Sequence, residues 1–353
     1  MKPKITIAMF VYNEEKHVGE AIESLLCQTY RDFQFLILDD VSTDHTPQII
    51  AAYKKKNKRI RYFQNEKRMG YIYNYRKTYE LGGKNADYFT WAAGHDVYHP
   101  EWLSHHVEVL QKYPEVVMAY PLTVRIDGQG KTLPVKSDVF ETFGLSAPQC
   151  ALTVAAHGKN FGNMIYGLLR ANKIPEAGIF RYFLLPDVLF LLELSLHGTF
   201  KQVKRKLWYR RYVDLFSIER QRRIAFYKHP WYLRIPWPVT NSFAIFWYQV
   251  LVSKQNDFYI RYIATQVSIL FFIRSLPKLQ RDSRIIGKYV ILPYLNLSQK
   301  LYKKYDEYRS FIRNMYLIFR FAAVSRLGKF ILHLSKNIYD MYVFLTRNIK
   351  NSI

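Results

Sequence analysis

The chain opens with a run of apolar residues, Lys4 to Val11, whose length and β-branched content predict a buried strand. From Glu15 to Gln28 the pattern changes. Val18, Ala21, Ile22 and Leu25 recur at the spacing of one helix face. Phe33 to Leu38 predicts a second buried strand, and the polar loop Asp39 to Asp44 follows it. Thr46-Pro47 reads as N-cap and first position of a helix running to about Lys55. A short strand is expected at Arg61 to Gln64, then a helix from Tyr71 to Leu81 stopped by Gly82-Gly83. Asp87 to Trp91 predicts a strand, Pro100 to about Lys112 a helix, and Val116 to Tyr120 a strand.

Short apolar strands alternating with amphipathic helices predict βαβ units, hence an α/β fold with a mainly parallel sheet flanked by helices. Such sheets bind ligands at the carboxyl ends of their strands. The two most polar loops, 39–44 and 93–99, both follow strands, which makes them the places to look for chemistry.

Residues 121–186 are irregular, with scattered Gly and Pro. An apolar helix is expected from Asp187 to His197, ended by Gly198. Beyond about Asp214 the texture shifts to aromatic and basic. Val239 to Val252 and Phe258 to Ile273 are the most apolar stretches, and neither reaches the roughly 18 uninterrupted residues of a membrane span. Helices lying on a membrane surface suit them better. The expected division is a domain at 1–214 and a basic, aromatic-rich, mainly helical region at 215–353.

Charge sharpens that division. The 353 residues carry a formal net charge of +24, and residues 201–353 hold 29 Lys and Arg against 7 Asp and Glu, leaving +2 for the first 200. A basic half points to an anionic surface, membrane phospholipid or nucleic acid. Nucleic acid is not the expected partner, because no RNA- or DNA-binding motif accompanies the charge, and a basic nucleic-acid-binding protein stands only as an alternative reading. Two cysteines, Cys27 and Cys150, exclude a disulfide framework and a cysteine zinc site, and suit a reducing compartment. The opening MKPKITIAMFVYNEE lacks the pattern of a signal peptide, so a cytoplasmic protein on the inner membrane face is expected. No GxGxxG follows the first strand, which removes a dinucleotide dehydrogenase.

Five segments then fall in one serial pattern. They are Ile7 to Glu14; Ser24-Leu25-Leu26-Cys27-Gln28-Thr29-Tyr30; Asp39-Asp40-Val41-Ser42-Thr43-Asp44; Arg68-Met69-Gly70 with Asn74; and Phe89 to Asp96 followed by Pro100 and Leu103. In this order they resemble the opening half of family 2 nucleotide-sugar glycosyltransferases of the GT-A fold. Gly162 to Arg170 is similar to that family's acceptor-side strand. Asp187 with Leu191, Glu193, Leu194 and Gly198 is similar to its catalytic-carboxylate helix, and Trp208-Tyr209-Arg210-Arg211 to the close of its catalytic domain.

The resemblance implies a transferase that moves a sugar from a nucleoside-diphosphate donor, a UDP-sugar in the first instance, to a glycan or lipid-linked acceptor with inversion. Asp187 would be the catalytic general base. Phe10, Tyr12, Asn13, Glu14, Asp39, Asp40, Arg68, Gly70, Asn74 and His95 would line the nucleotide, with Asp39 or Asp40 on its base. Asp96 would hold a divalent metal at the diphosphate, Mg²⁺ or Mn²⁺. His95 departs from the family pattern, which commonly has an acid there. A histidine brings no negative charge and shifts the expectation toward Mn²⁺. It also motivates a second reading, an inactive membrane scaffold on the same fold. Arg210 and Arg211 read equally as diphosphate ligands or as part of a solvated basic face. A zinc cluster of His95, His99, His105 and His106 is disfavoured, because Pro100 separates the first two from the helix carrying the others.

Overall fold

A computed structural model describes residues 2–137, 139–156, 161–180 and 186–212. The expectations for residues 215–353 lie outside the described residues.

Among the described residues, eight strands form one sheet. They are β1 (Ile5–Val11), β2 (Gln34–Asp39), β3 (Ile60–Gln64), β4 (Tyr88–Ala93), β5 (Val97–Tyr98), β6 (Val116–Ile126), β7 (Leu168–Arg170) and β8 (Thr199–Arg211). Their order is β3-β2-β1-β4-β7-β6-β8-β5. The first four are mutually parallel. The short β7 runs antiparallel to both β4 and β6, β8 returns parallel to β6, and β5 closes the edge antiparallel to β8. The sheet is therefore mixed, with its parallel half built from the segments read as βαβ units.

The apolar runs are continuous because both faces are covered. Ile7, Met9 and Val11 point to one side, where they meet Val18, Ile22 and Leu25 of α1 (Val18–Leu26) and Leu103, Val107 and Leu110 of α4 (Trp102–Lys112). Ala8, Leu36, Phe89 and Trp91 point to the other. There they meet Ile72, Tyr75 and Tyr79 of α3 (Tyr71–Gly82) and a cluster including Phe190 and Leu191. Each fully buried side chain of this size stabilises the fold by about 1.5–3 kcal/mol relative to exposure.

Local differences from the sequence reading have local causes. Helix α1 starts at Val18 rather than Glu15, because the N–H groups of His17 and Val18 both bond the Glu14 carbonyl in a turn. In α2 (Thr46–Lys56) Thr46 is the first helical residue. His45 is the N-cap, and Asp44 Oδ1, one residue before it, accepts the Thr46 N–H at 3.0 Å. Gln28 is buried and staples two elements: its Nε2 donates to the His99 carbonyl and its Oε1 accepts the Leu103 N–H. The span expected to be irregular holds the end of β6, α5 (Ala147–Ala156), a 3₁₀ turn (Phe161–Tyr166), β7 and α6 (Lys173–Glu176). Pro121 and two register shifts beside it hid the long β6 from a pattern reading. The helix expected from Asp187 to His197 is α7 (Pro186–Leu194).

Candidate active site

The site gathers where β1, β2 and β4 end. Asn13, just past β1, adopts φ +55°, a left-handed conformation that asparagine tolerates better than most residues. Its N–H donates to Ser42 Oγ, and its side chain exchanges hydrogen bonds with Thr43. The Glu14 and Glu15 N–H groups donate to Thr46 and Asp44. The loops after β1 and β2 are thus one welded unit.

Asp39 and Asp40 lie within that unit, both buried. Asp39 Oδ1 accepts from the N–H and hydroxyl of Ser42, and Oδ2 accepts from Tyr62 and Gln64. Asp40 accepts from the N–H groups of Met69 and Gly70 at 2.7 and 2.8 Å and from Asn65. Gly70 holds φ +85° as the cap of α3, the region where a Cβ is strained. Asn65 also bonds Asn74, which is buried in α3. Arg68 lies over the Tyr12 ring, 3.8 Å from its centroid. Phe10 packs edge-on to Tyr75. The motif Arg68-Met69-Gly70…Asn74 is thereby explained as the segment that Asp40 ties to the sheet.

The loop after β4 carries the third group. Glu14 Oε1 is 2.9 Å from His95 Nδ1, and His95 Nε2 is 3.9 Å from Asp96 Oδ1. Burial opposes protonation of His95, but the bond to Glu14 and the charge of Asp96 carry its pKa above the ordinary imidazole value. Asp96 is 1% exposed. Its Oδ2 accepts from the Trp208 indole at 3.1 Å and its Oδ1 from the Arg211 N–H at 2.8 Å. Burial raises its carboxyl above the usual range against the pull of those donors and of His95.

Strand β8 therefore completes the site from the far side of the chain. The Arg211 guanidinium is buried, donating to the carbonyls of His95, Asp127 and Gly128 and to Glu20. Of the two arginines read as diphosphate ligands or solvated surface, Arg211 is neither. Arg210 stands where its charge acts on His95, Asp96 and Asp187 together. Asp187 opens α7, and burial raises its carboxyl above the ordinary value despite the N–H groups of Val188 and Asp187. Tyr166 feels the charge of both acids. Its hydroxyl bonds that of Tyr75 at 2.8 Å, and its ring lies 5.2 Å from Trp208.

Asp96 and Asp187 thus share one electrostatic neighbourhood with Arg210, while Asp39 and Asp40 serve the adjoining loop unit. Tyr75, Tyr166 and Trp208 were not singled out from the sequence; Tyr166 and Trp208 lay inside the segments that resemble family motifs. His105 and His106 belong to other surroundings. His105 contacts Arg205, and His106 is buried against the Trp102 carbonyl, its pKa pushed down to about 4 by burial.

The donors fit a divalent cation poorly. Mg²⁺ and Mn²⁺ favour several carboxylate and water oxygens. Asp96 turns both oxygens inward, and Glu14 faces an imidazole. Among the described residues, no three His, Cys, Asp or Glu side chains converge as a cation cage.

An open α/β sheet with a welded loop unit and acids at its strand ends has the architecture of a GT-A glycosyltransferase. Structures of S. aureus TarS 1-349, one with UDP-GlcNAc, share the fold at TM-scores of 0.53 and 0.55, with 16% identity over 78% of this chain and 72–73% of theirs. The mannosyltransferase PcManGT from Pyrobaculum calidifontis, solved with GDP-Man and Mn²⁺, matches at 0.53, 11% identity, 96% of this chain and 88% of that one. Residues 6–166 match the model of glycosyl transferase family 2. The putative glycosyltransferase EpsE of Bacillus subtilis is 33% identical over 114 residues, 31% of this chain and 40% of its own. An uncharacterized glycosyltransferase of Rickettsia typhi is 34% identical over 113 residues, 31% of this chain and 33% of its own. The matched region spans less than half the length of these relatives.

Proposed function

We propose that the protein transfers a sugar, with inversion, from a nucleoside diphosphate to a glycan or lipid-linked acceptor, Asp187 taking the proton of the attacking hydroxyl. The observation that carries this is that Trp208 joins Asp96 to Tyr166, on which the charge of Asp187 also acts. A base must be ionised to work and is strongest when its pKa is raised toward the working pH. Burial at the head of α7 raises Asp187 in that direction. Tyr12 and Arg68 present a stacked face beside Asn13 for the nucleotide. UDP-GlcNAc in TarS and GDP-Man in PcManGT support a nucleotide-sugar donor and leave the base open between uridine and guanosine. The Mn²⁺ of PcManGT supports a cation at the diphosphate; the inward-turned Asp96 does not.

Incubation with UDP- and GDP-sugars, with and without glycan and lipid-linked acceptors, tests the reading through product formation and the anomeric configuration of the product. Asp187→Asn is expected to lower kcat by about 10²–10⁴ while nucleotide affinity stays within a few fold. In the wild type, kcat/KM should fall with acid as Asp187 gains its proton, at a pH above the ordinary aspartate range. Full activity of Asp187→Asn would refute the assignment.

The +22 of residues 201–353 supports an anionic membrane surface, on the inner face of the cell membrane, as the place of action. No helix among the described residues is long and apolar enough to cross a membrane.

A further inference from the structure

We infer that Tyr166 binds the transferred sugar, giving its hydroxyl proton to one of the sugar's hydroxyl oxygens, and that Tyr75 is the positioning residue that holds the Tyr166 hydroxyl. Tyr166 takes this role within the nucleotide-sugar reading above, on which the inference rests.

The hydroxyls of Tyr75 and Tyr166 lie 2.8 Å apart, and the hydrogen bond between them uses only one of the two hydroxyl protons. Tyr75 is 5% exposed. Its ring is enclosed by Phe10, Tyr71, Trp91 and Phe180, the last stacked on it with centroids 3.9 Å apart. Among the described residues, the one acceptor that the Tyr75 hydroxyl meets is Tyr166. A buried hydroxyl proton without an acceptor is costly, so Tyr75 donates and the Tyr166 oxygen accepts. The proton of Tyr166 is left over, and Tyr166 is only partly buried, so a bound molecule can take it.

The hydroxyl pair is held from two sides. The Tyr166 ring lies 5.2 Å from Trp208, whose indole donates to Asp96 at 3.1 Å, on the side read above as that of the diphosphate. Tyr75 stacks on Phe180, and Phe180 stacks on Phe190 of α7 with centroids 5.3 Å apart. Phe190 stands three residues after Asp187, so the two share a helix face. One aromatic layer thus runs from the partner of Asp96 to the helix that Asp187 opens. In an inverting transfer the attacked carbon lies between the departing diphosphate and the attacking hydroxyl. The sugar is therefore the part of the substrate that passes between these two acids and over the tyrosine pair.

The chemistry of the donor agrees with that place. A phenol is a neutral donor, suited to a sugar hydroxyl, whereas a diphosphate draws charged donors. The backbone beside Tyr166 is pinned: the Gly167 N–H donates to the Met164 carbonyl at 2.9 Å, and a Cβ on Gly167 would lie 2.4 Å from the Ala119 carbonyl oxygen. A donor fixed in advance loses little freedom on binding, and a site built to bond one hydroxyl rejects a sugar that lacks it.

Calorimetric titration of the full chain with UDP, GDP, UDP-GlcNAc, UDP-glucose and GDP-mannose identifies the nucleotide sugar that the wild type binds best. Tyr166→Phe, which keeps the ring against Trp208, should weaken that nucleotide sugar by about three- to tenfold and leave the matching free nucleotide within about twofold. Tyr75→Phe should weaken the nucleotide sugar without touching the free nucleotide. The double variant should be no worse than Tyr166→Phe alone, because Tyr75 acts through Tyr166. Deoxygenation of the preferred sugar at one ring position should cost the wild type the same factor and cost Tyr166→Phe nothing further. Each variant is shown folded by its thermal transition, and the deoxygenation series in the wild type needs no variant: indifference to every position would overturn the inference. So would wild-type affinity of Tyr166→Phe for the nucleotide sugar, or an equal loss for nucleotide and nucleotide sugar, which marks a structural role; both leave the transferase reading intact. No binding of any nucleotide or nucleotide sugar by the wild type would remove that reading, and this inference with it.

Discussion

Asp40, read from the sequence as a nucleotide ligand, is structural in its contacts. Its carboxylate is buried and accepts three N–H bonds from residues 65–70. Those bonds hold the Arg68-Met69-Gly70 segment on the side proposed for the nucleotide, where Arg68 covers Tyr12. Removing the acceptor strands three donors in the interior. Asp40→Ala is therefore expected to cost roughly 2–4 kcal/mol of stability in denaturant unfolding. An unchanged midpoint would show that water replaces the carboxylate without loss.

At the scale of elements, the turning point of the sheet is the three-residue strand β7, which stands between parallel β4 and β6 and reverses direction against both. Gly167 precedes it and follows Tyr166. A Cβ there would lie 2.4 Å from the Ala119 carbonyl oxygen and 2.8 Å from Tyr120 Cβ, so β7 must move off β6 to admit it. Gly167→Ala should lower stability by about 2 kcal/mol or more and reduce transfer by displacing Tyr166. Gly128 has open space around its Cβ direction, and Gly128→Ala serves as the control with a thermal transition near wild type. Equal transitions for the two variants would contradict the packing argument.

For the whole molecule the governing feature is the charge asymmetry, +2 over the first 200 residues and +22 over the rest. Charges of one sign near an anionic leaflet each contribute about 1 kcal/mol, and salt screens them within about 10 Å at 0.1 M. The full chain should sediment with vesicles rich in anionic lipid at low salt and be largely released at about 0.5 M salt. Equal binding to neutral vesicles would point to insertion of the aromatic segments instead.

The parallel half of the sheet was legible because its cause is local. Ile5–Val11, Gln34–Asp39 and Tyr88–Ala93 are covered on both faces, and that leaves an unbroken apolar run in the chain itself. The long β8 was not legible. Its middle residues Lys204, Arg205 and Lys206 are exposed, so its pattern is that of a polar segment, and only pairing with β6 makes it a strand. The same split runs through the site. Serial motifs along the chain marked Asn13, Asp39, Asp96 and Asp187 as the acids and amides of a transferase. What each of them does was decided by partners far away in sequence: Trp208 and Arg211, 112 and 115 residues beyond Asp96, turn that acid inward. A sequence specifies which groups are present, whereas the protonation, orientation and availability of a buried carboxylate follow from the donors that folding brings against it.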